Sequence, residues 1–162
     1  MTPGRPFSAK SRAWVKKNGA QRDHFGRIFR DNSGRLRYDS EFQGIWVSSW
    51  IRDPVAKTNI TLNHFHKTFI QSSEPFGTPL QTSMPDSTEK RMINGVECLR
   101  YPPRQTLEEA WVSPELEFVI QERTRDDFHE TTWEIYDIVR TEPDESLFRI
   151  PSDYQAATGP DA

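Results

Sequence analysis

Hydrophobic and polar residues alternate along most of the chain from Gln21 onward, and turn-forming residues interrupt the alternation roughly every 8–12 positions. A period of two is typical of β-strands that bury one face. Turn residues such as Asp31-Asn32-Ser33-Gly34 and Asn94-Gly95 separate neighbouring strands. The pattern therefore predicts about nine or ten short strands, at residues 25–30, 35–40, 45–51, 58–62, 67–71, 90–93, 96–101, 107–112, 116–123 and 131–140.

Many short strands joined by turns favour an antiparallel sheet, sandwich or barrel with little helix. Residues 11–17 fit two structures, a short helix capped by Ser8 and Gly19 or a strand around Ala13-Trp14-Val15. Residues 45–51 are apolar on both faces. We expect Trp46 and Trp50 on one face of this strand and Ile45, Val47 and Ile51 on the other.

The positions of Pro, Gly and small polar residues also predict the domain organisation of the chain. Residues 1–11 are expected to form a flexible arm, residues 12–154 a single β domain, and residues 155–162 a disordered tail. Residues 72–87 contain three prolines among small polar residues, which predicts a long loop within the domain.

Composition shows what the core is made of. Only 34% of the residues are hydrophobic, yet 12% are aromatic, with five Trp and ten Phe, so large rings supply much of the buried area. No apolar run approaches the length of a transmembrane segment. Cys98 is the single cysteine, which excludes an intramolecular disulfide.

Charge is distributed unevenly along the chain. Residues 1–40 carry ten Lys and Arg against three Asp and Glu, whereas residues 41–162 carry eleven against twenty-one. The basic segment would suit nucleic acid or an anionic membrane surface, but its charges are spread out and no nucleic-acid motif accompanies them. Cross-strand ion pairs between basic N-terminal and acidic C-terminal strands explain the pattern better, so no nucleic-acid partner is expected.

The sequence contains no pattern that we interpret as catalytic, and it implies no cofactor. No phosphate-binding loop, nucleophile elbow or paired Cys-x-x-Cys is present. His64 and His66 are the weak candidates for metal ligands, since alternate histidines share one face of a strand. A third ligand would have to come from elsewhere in the chain, such as His129 or Glu130, and nothing in the spacing demands it, so a metal-dependent hydrolase is only a remote alternative.

Several segments together resemble a group of uncharacterised, usually exported bacterial proteins. They are GRIFRDNSGR at 26–35, IRDPVA at 51–56, INGVE at 93–97, EAWVSPEL at 109–116, and the ending from Glu130-Thr131-Thr132 to Pro151-Ser152-Asp153-Tyr154. The ending, with Phe148, Pro151 and Tyr154 at regular spacing, is similar to that of envelope proteins with the LolA-like lipoprotein-carrier fold. The resemblance implies a single curved antiparallel sheet, an open half-barrel of about 9–10 strands.

The resemblance also implies a function. It predicts a non-catalytic binding module of the cell envelope that holds a lipid or lipoprotein acyl chain on a concave apolar face, and not an enzyme. A protein-interaction or regulatory domain that binds an envelope protein is the alternative. The chain would be periplasmic if an export signal is missing from it and cytoplasmic otherwise. Six aromatic residues are the candidates for lining the groove, Trp46, Trp50, Trp111, Phe118, Trp133 and Tyr136.

Overall fold

The computed structural model describes residues 5–73 and 84–158 of the chain. Parts of the predicted arm, loop and tail, at residues 1–4, 74–83 and 159–162, lie outside the described residues. The strands are β1 (Phe7–Lys17), β2 (Ala20–Arg30), β3 (Leu36–Phe42), β4 (Ile45–Asp53), β5 (Thr58–Asn63), β6 (Thr68–Ser73), β7 (Lys90–Ile93), β8 (Val96–Tyr101), β9 (Leu107–Ser113), β10 (Phe118–Arg125), β11 (Glu130–Val139) and β12 (Gln155–Ala156). A short 3-10 helix covers Glu145–Phe148.

All twelve strands belong to one sheet, in the order β12-β6-β5-β4-β3-β2-β1-β11-β10-β9-β8-β7. Consecutive strands from β2 to β6 and from β7 to β11 pair antiparallel, whereas β12 pairs parallel with β6. The predicted fold class is confirmed, a mainly β protein with one curved, mostly antiparallel sheet that is not closed. Among the described residues, no helix is long and apolar enough to cross a membrane.

Three two-residue turns connect neighbouring strands in the same way. Asn18-Gly19, Gln43-Gly44 and Asn94-Gly95 all have positive φ at both positions, as a type I′ hairpin turn requires. The first of these turns decides between the two structures that residues 11–17 allowed. Gly19 lies in the hairpin turn between β1 and β2 and does not end a helix, so residues 11–17 form part of β1.

Strands include residues close to both ends of the described chain. β1 begins at Phe7, whose side chain is fully buried and lies under the guanidinium of Arg30. Gln155 and Ala156 pair with Thr68 and Phe69 at the edge of β6. Residues 7–11 of the predicted flexible arm and residues 155–156 of the predicted disordered tail therefore lie in strands.

The chain divides into two compact units. The first comprises Met1–Ser8, Gly26–Phe76 and Val139–Ala162. Its core is formed by Ile51, Ile60, Leu62 and Phe148, with partly buried apolar side chains packed around them. Phe148 comes from the segment 144–157, which we call the C-terminal strap. The strap thus covers the face of β4 and β5 that carries Ile51 and Leu62.

The second unit comprises Ala9–Phe25 and Gly77–Ile138. The buried residues of this unit include Ile93, Val96, Trp111, Ile120 and Ile135 from β7 to β11. The side chain of Asn94, at the tip of the β7–β8 hairpin, donates a 2.8 Å hydrogen bond to the carbonyl of Ile135 in β11. Since β9 and β10 lie between β8 and β11 in the sheet, this bond joins two parts of the unit that are not neighbours in strand order.

Ion pairs in the second unit account for part of the uneven charge. Lys10 Nζ lies 2.9 Å from Asp137 Oδ2, and Arg12 Nη2 lies 2.6 Å from Glu134 Oε1. Both pairs join β1 to β11. The interpretation of the basic N-terminal residues as partners of acidic C-terminal strands is confirmed at these two positions.

Candidate functional site

A buried polar network in the first unit is centred on Asp39, which is fully buried. Its Oδ2 accepts hydrogen bonds from Arg27 Nε and Nη2 at 3.2 and 2.7 Å. Its Oδ1 accepts from Arg37 Nε at 2.6 Å and from Ser49 Oγ at 2.5 Å. Two guanidinium groups and a hydroxyl therefore compensate the cost of burying this carboxylate.

The network continues from Ser49 to a histidine and a tyrosine. Ser49 Oγ lies 2.6 Å from His64 Nε2, and His64 Nδ1 lies 2.5 Å from the hydroxyl of Tyr154. A hydroxyl has one proton, and that of Ser49 is donated to Asp39. His64 Nε2 is therefore the donor to Ser49, and Nδ1 accepts from Tyr154, which assigns the tautomer of a neutral imidazole.

This proton order prevents Ser49 from acting as a nucleophile activated by His64. A general base needs a free lone pair facing the hydroxyl, but His64 Nε2 presents a proton to Ser49. Ser49 is also 1% exposed, so no substrate reaches it. Burial, followed in size by the charge of Arg37, lowers the pKa of His64 below its ordinary value and keeps the ring neutral. The network is therefore structural.

Its structural role is to hold the C-terminal strap against the sheet. Arg37 Nη1 donates a 2.7 Å hydrogen bond to the carbonyl of Leu147, and Tyr154 donates to His64. An exposed ion pair between Lys67 and Asp153 adds a third attachment. The strap ends by adding its short strand to the edge of β6.

A β-bulge changes the expected orientation of two candidate residues. Ser40 pairs with Ser48, whereas Glu41 pairs with Trp46, so Val47 is an extra residue in β4. Trp46 consequently lies on the strap-covered face, with the Arg27 guanidinium 3.9 Å from its ring centroid. Trp50 lies on the opposite face. The expectation that these two tryptophans share a face is wrong, because alternation holds only where no residue is inserted.

Trp50 belongs to a row of side chains that crosses five strands on the face opposite the strap. We call this set the transverse row. The register pairs each member with the next, from β2 to β6. Its members are Ile28, Tyr38, Trp50, Thr61 and Ile70. Tyr38 and Trp50 at its centre are half-buried, and Ile70 at its end is 39% exposed. Ile28, at the β2 end, is only 2% exposed, so the accessible part of the row runs from Tyr38 to Ile70 and is about 14 Å long with strands about 4.8 Å apart.

The other four candidate aromatics lie in the second unit, and two of them are core residues. Trp111 is 1% exposed, its indole Nε1 donates to Glu109 at 2.7 Å, and the Arg91 guanidinium lies over its ring. Phe118 is 2% exposed. These two side chains fill the interior of the unit.

Trp133 and Tyr136 are half-buried and lie on opposite faces of β11. Tyr136 and Trp14 flank the Arg12 guanidinium at 5.1 and 4.7 Å, next to the buried Glu134. Trp133 lies on the other face, directly across from Glu122 in β10. The six candidates therefore do not form one set on a single face.

The two histidines proposed as metal ligands both lie in the turn between β5 and β6. Both ring nitrogens of His64 are hydrogen-bonded, and the ring of His66 stacks edge-on against Phe65. Within residues 5–73 and 84–158, no group of three or more His, Cys, Asp or Glu side chains is arranged to hold a metal ion. Burial raises the pKa of the Cys98 thiol to about 12, so this side chain is unreactive.

Sequence reasoning did not identify Tyr38, Ile28 or Ile70 as members of the transverse row. The alternation of Arg37, Tyr38 and Asp39 does indicate that Tyr38 faces away from the two charged residues. Its neighbour across the strands depends on the register, which the turn lengths and the bulge in β4 determine.

No family model matches the sequence, and no curated protein matches it. Solved structures do resemble it. An uncharacterised conserved protein from Thermus thermophilus is 11% identical with a TM-score of 0.65, and the match covers 95% of this chain and 90% of that one. PNGF-II is 10% identical with a TM-score of 0.57 over 93% of this chain, but the match spans only 31% of PNGF-II.

MucB in complex with MucA(peri) is 12% identical with a TM-score of 0.51, and the match covers 95% of this chain and 57% of MucB. A LolA superfamily protein from Nitrosomonas europaea is 8% identical with a TM-score of 0.49 over 91% of both chains. At such identities the likeness concerns the fold alone. The predicted resemblance is confirmed as a likeness of fold, by the matches to MucB and to the Thermus thermophilus protein.

Proposed function

We propose that the protein is a non-catalytic binding module of the cell envelope that holds an acyl chain of a lipid or lipoprotein along the transverse row. One observation carries the proposal. Tyr38 and Trp50 are half-buried neighbours at the centre of a mostly apolar row, on the face that the strap does not cover. An apolar chain laid along this row would bury aromatic surface with no covalent step.

Two further observations support this function. The fold is shared with MucB, a protein solved in complex with MucA(peri), which supports a binding module. The histidine–serine contact of the first unit is arranged as a structural link, which removes the strongest candidate for an enzymatic role there.

A titration with cis-parinaric acid, whose fluorescence rises in an apolar environment, tests the proposal. The folded protein should bind the probe saturably. Trp50→Ala should weaken binding about tenfold, since roughly 50 Å² of lost apolar contact corresponds to about 1.3 kcal/mol. Trp46→Ala is the matched control, because it removes the same side chain four residues away on the opposite face. It should leave the affinity within about twofold.

Absence of saturable binding by the folded protein would contradict the proposal. Equal losses in both variants would also contradict it, because they would show that binding does not depend on the transverse row.

A protein-interaction function is the second candidate, and exposed apolar hairpin tips favour it. Phe42 and Ile45, in the β3–β4 hairpin, are 61% and 67% exposed, and Phe65, in the β5–β6 turn, is 84% exposed. Both turns lie at the same end of the first unit, since β4 and β5 are antiparallel neighbours. An apolar patch of this kind marks a contact surface more often than a solvated one.

Site-specific photo-crosslinking in cells tests this alternative. A photoreactive residue at Phe65 should give a discrete protein adduct. The same residue at Val55, which is 75% exposed in the β4–β5 turn at the other end of the unit, should give none. Identical patterns at the two positions would exclude a specific partner at this end.

A further inference from the structure

Glu122 differs from the other acidic residues of β8 to β11. Its carboxyl group has no hydrogen bond and no ion pair to any of the residues 5–73 and 84–158. The acidic side chains at positions 97, 108, 109, 130, 134 and 137 each lie within ion-pair distance of a Lys or Arg. Arg123, the next residue of the same strand, pairs with Glu108 and Glu109 instead.

The surroundings of Glu122 are apolar. Its two cross-strand neighbours are Trp133 in β11 and Ala110 in β9. Directly opposed residues of an antiparallel pair have Cβ atoms about 5 Å apart and point to the same face, so Glu122 and Trp133 are side-chain neighbours on one face of the sheet. Ile135, on the same face of β11 two residues from Trp133, is fully buried. A half-buried carboxylate without a counter-charge in such a place lowers the stability of the fold.

We infer that Glu122 and Trp133 form a binding subsite for a substituted ammonium group of a small organic cation. The carboxylate supplies the counter-charge, and the indole supplies the aromatic face that attracts cations most strongly. An alkylated ammonium is weakly hydrated, so it enters a half-buried apolar position at lower cost than a metal ion or a lysine. A single carboxylate offers too few ligands for a metal.

The electrostatics of the site agree with this assignment. Burial alone raises the pKa of Glu122 above its ordinary value of 4.5, with no contribution from a charged or hydrogen-bonded neighbour. Neither Trp133 nor Ala110 titrates. Among residues 5–73 and 84–158 no side chain supplies a counter-charge to this carboxyl group, so a bound cation would favour its ionised form.

Isothermal titration with choline at about pH 8, which favours the ionised form of a carboxyl group, tests the inference. The folded protein should bind choline saturably. It should bind the uncharged isostere 3,3-dimethylbutan-1-ol at least about tenfold more weakly. Dihexanoylphosphatidylcholine below its micelle concentration tests the same group as a lipid head group. Binding of this lipid without free choline would assign the subsite to lipid, and binding of both would show that the ammonium alone suffices.

Three variants locate the binding. Glu122→Gln keeps the shape of the side chain and removes its charge, and it should weaken choline binding at least about tenfold. Trp133→Leu should weaken it about three- to tenfold through loss of the aromatic face. Glu97→Gln is the matched control, because it removes one carboxylate of the same unit from an exposed ion pair with Lys90. It should bind as the wild type does.

The dependence on pH provides an independent readout. Choline affinity of the wild type should fall as the pH is lowered through the pKa of Glu122, and the affinity that remains in Glu122→Gln should not change over the same range. Three results would each overturn the inference. They are no saturable binding of either choline or the lipid by the folded protein, equal binding of choline and its neutral isostere, and unchanged affinity in Glu122→Gln.

Discussion

The hydroxyl of Tyr154 lies 2.5 Å from Nδ1 of His64, although the two residues are 90 positions apart in the sequence. This contact links the C-terminal strap to the turn between β5 and β6. Through His64 and Ser49 it connects the strap to the buried carboxylate of Asp39. One continuous chain of hydrogen bonds therefore joins the end of the protein to the middle of the sheet in the first unit.

Removal of the Tyr154 hydroxyl should loosen the strap. Tyr154→Phe keeps the ring that packs against the apolar cluster of Ile51 and Phe148 but leaves His64 Nδ1 without its donor. We expect a loss of about 1 kcal/mol in the free energy of unfolding, measured by urea denaturation. Backbone amides of residues 155–157 should also exchange faster with solvent. Unchanged exchange in this segment would show that the strap is held by its apolar contacts alone.

Protonation of His64 should destabilise the protein. Because burial and Arg37 lower its pKa from 6.5, the unfolded chain binds a proton at a higher pH than the folded protein does. The stabilisation that depends on neutral His64 is fully present above about pH 6.5 and is lost as the pH falls from there through the folded pKa. Urea denaturation at several pH values should show this loss in the wild type and a smaller one in His64→Gln. Equal pH dependence of the two proteins would contradict the assignment.

Asp39 should be among the residues least tolerant of substitution. Asp39→Asn leaves the buried Arg37 without its carboxylate partner, and removal of one member of a buried ion pair costs about 3–5 kcal/mol. Asp137→Asn is the control, because its pair with Lys10 is about 60% exposed on both sides and should contribute far less. The comparison uses urea denaturation. If Asp39→Asn does not fold, the double variant Arg37→Met/Asp39→Asn should recover stability, since no unpaired buried charge remains at position 37.

The hydrogen bond from Asn94 to Ile135 should contribute measurably to the second unit. Asn94 has a φ of 49°, so Asn94→Gly keeps the turn free of strain while it removes the side-chain donor. We expect a loss of about 1 kcal/mol in the free energy of unfolding. Gln43→Gly is the matched control, since Gln43 occupies the same turn position with a φ of 51°. Similar losses in the two variants would attribute the effect to glycine and not to the hydrogen bond.

The two classes of tryptophan should respond differently to truncation. Trp111→Ala removes a fully buried side chain and leaves a cavity, so it should lower the free energy of unfolding by about 3–5 kcal/mol. Trp50→Ala, at a half-buried position on the transverse row, should cost less stability and act mainly on ligand binding. Thermal and urea denaturation of both variants provide the comparison. A larger loss for Trp50 would identify the row as part of the core.

Local sequence patterns were sufficient for most of the strands. The strand predicted at residues 90–93 agrees with β7 to the residue, and that at 96–101 agrees with β8, because Asn94-Gly95 permits the positive φ values of a type I′ turn. Residues 11–17 stayed open between helix and strand, since Asn18-Gly19 is compatible with the end of either structure. The partner strands β2 and β11 decided in favour of a strand.

The candidate site was less accessible to sequence reasoning. Aromatic composition identified Trp46 and Trp50 but not their opposite orientations, because the inserted Val47 is recognisable only from its pairing with β3. The sequence suggested His64 as a metal ligand, whereas in the structure its ring links Ser49 to Tyr154 through two hydrogen bonds. Residues that are far apart in sequence can be in contact without producing any local periodic pattern, so these contacts cannot be predicted from the sequence alone.

The sequence by itself determined the β character of the chain, the positions of its hairpins and the reliance of its core on large rings. Those properties follow from alternation, turn chemistry and composition, which act over a few neighbouring residues. Only the tertiary structure decided which face of the first unit the C-terminal strap covers and which tryptophans are enclosed. It also decided that Glu122 lies opposite Trp133 with no ion pair to another described residue. These features depend on strand register and on contacts across the sheet, where burial and charge are set by residues distant in sequence.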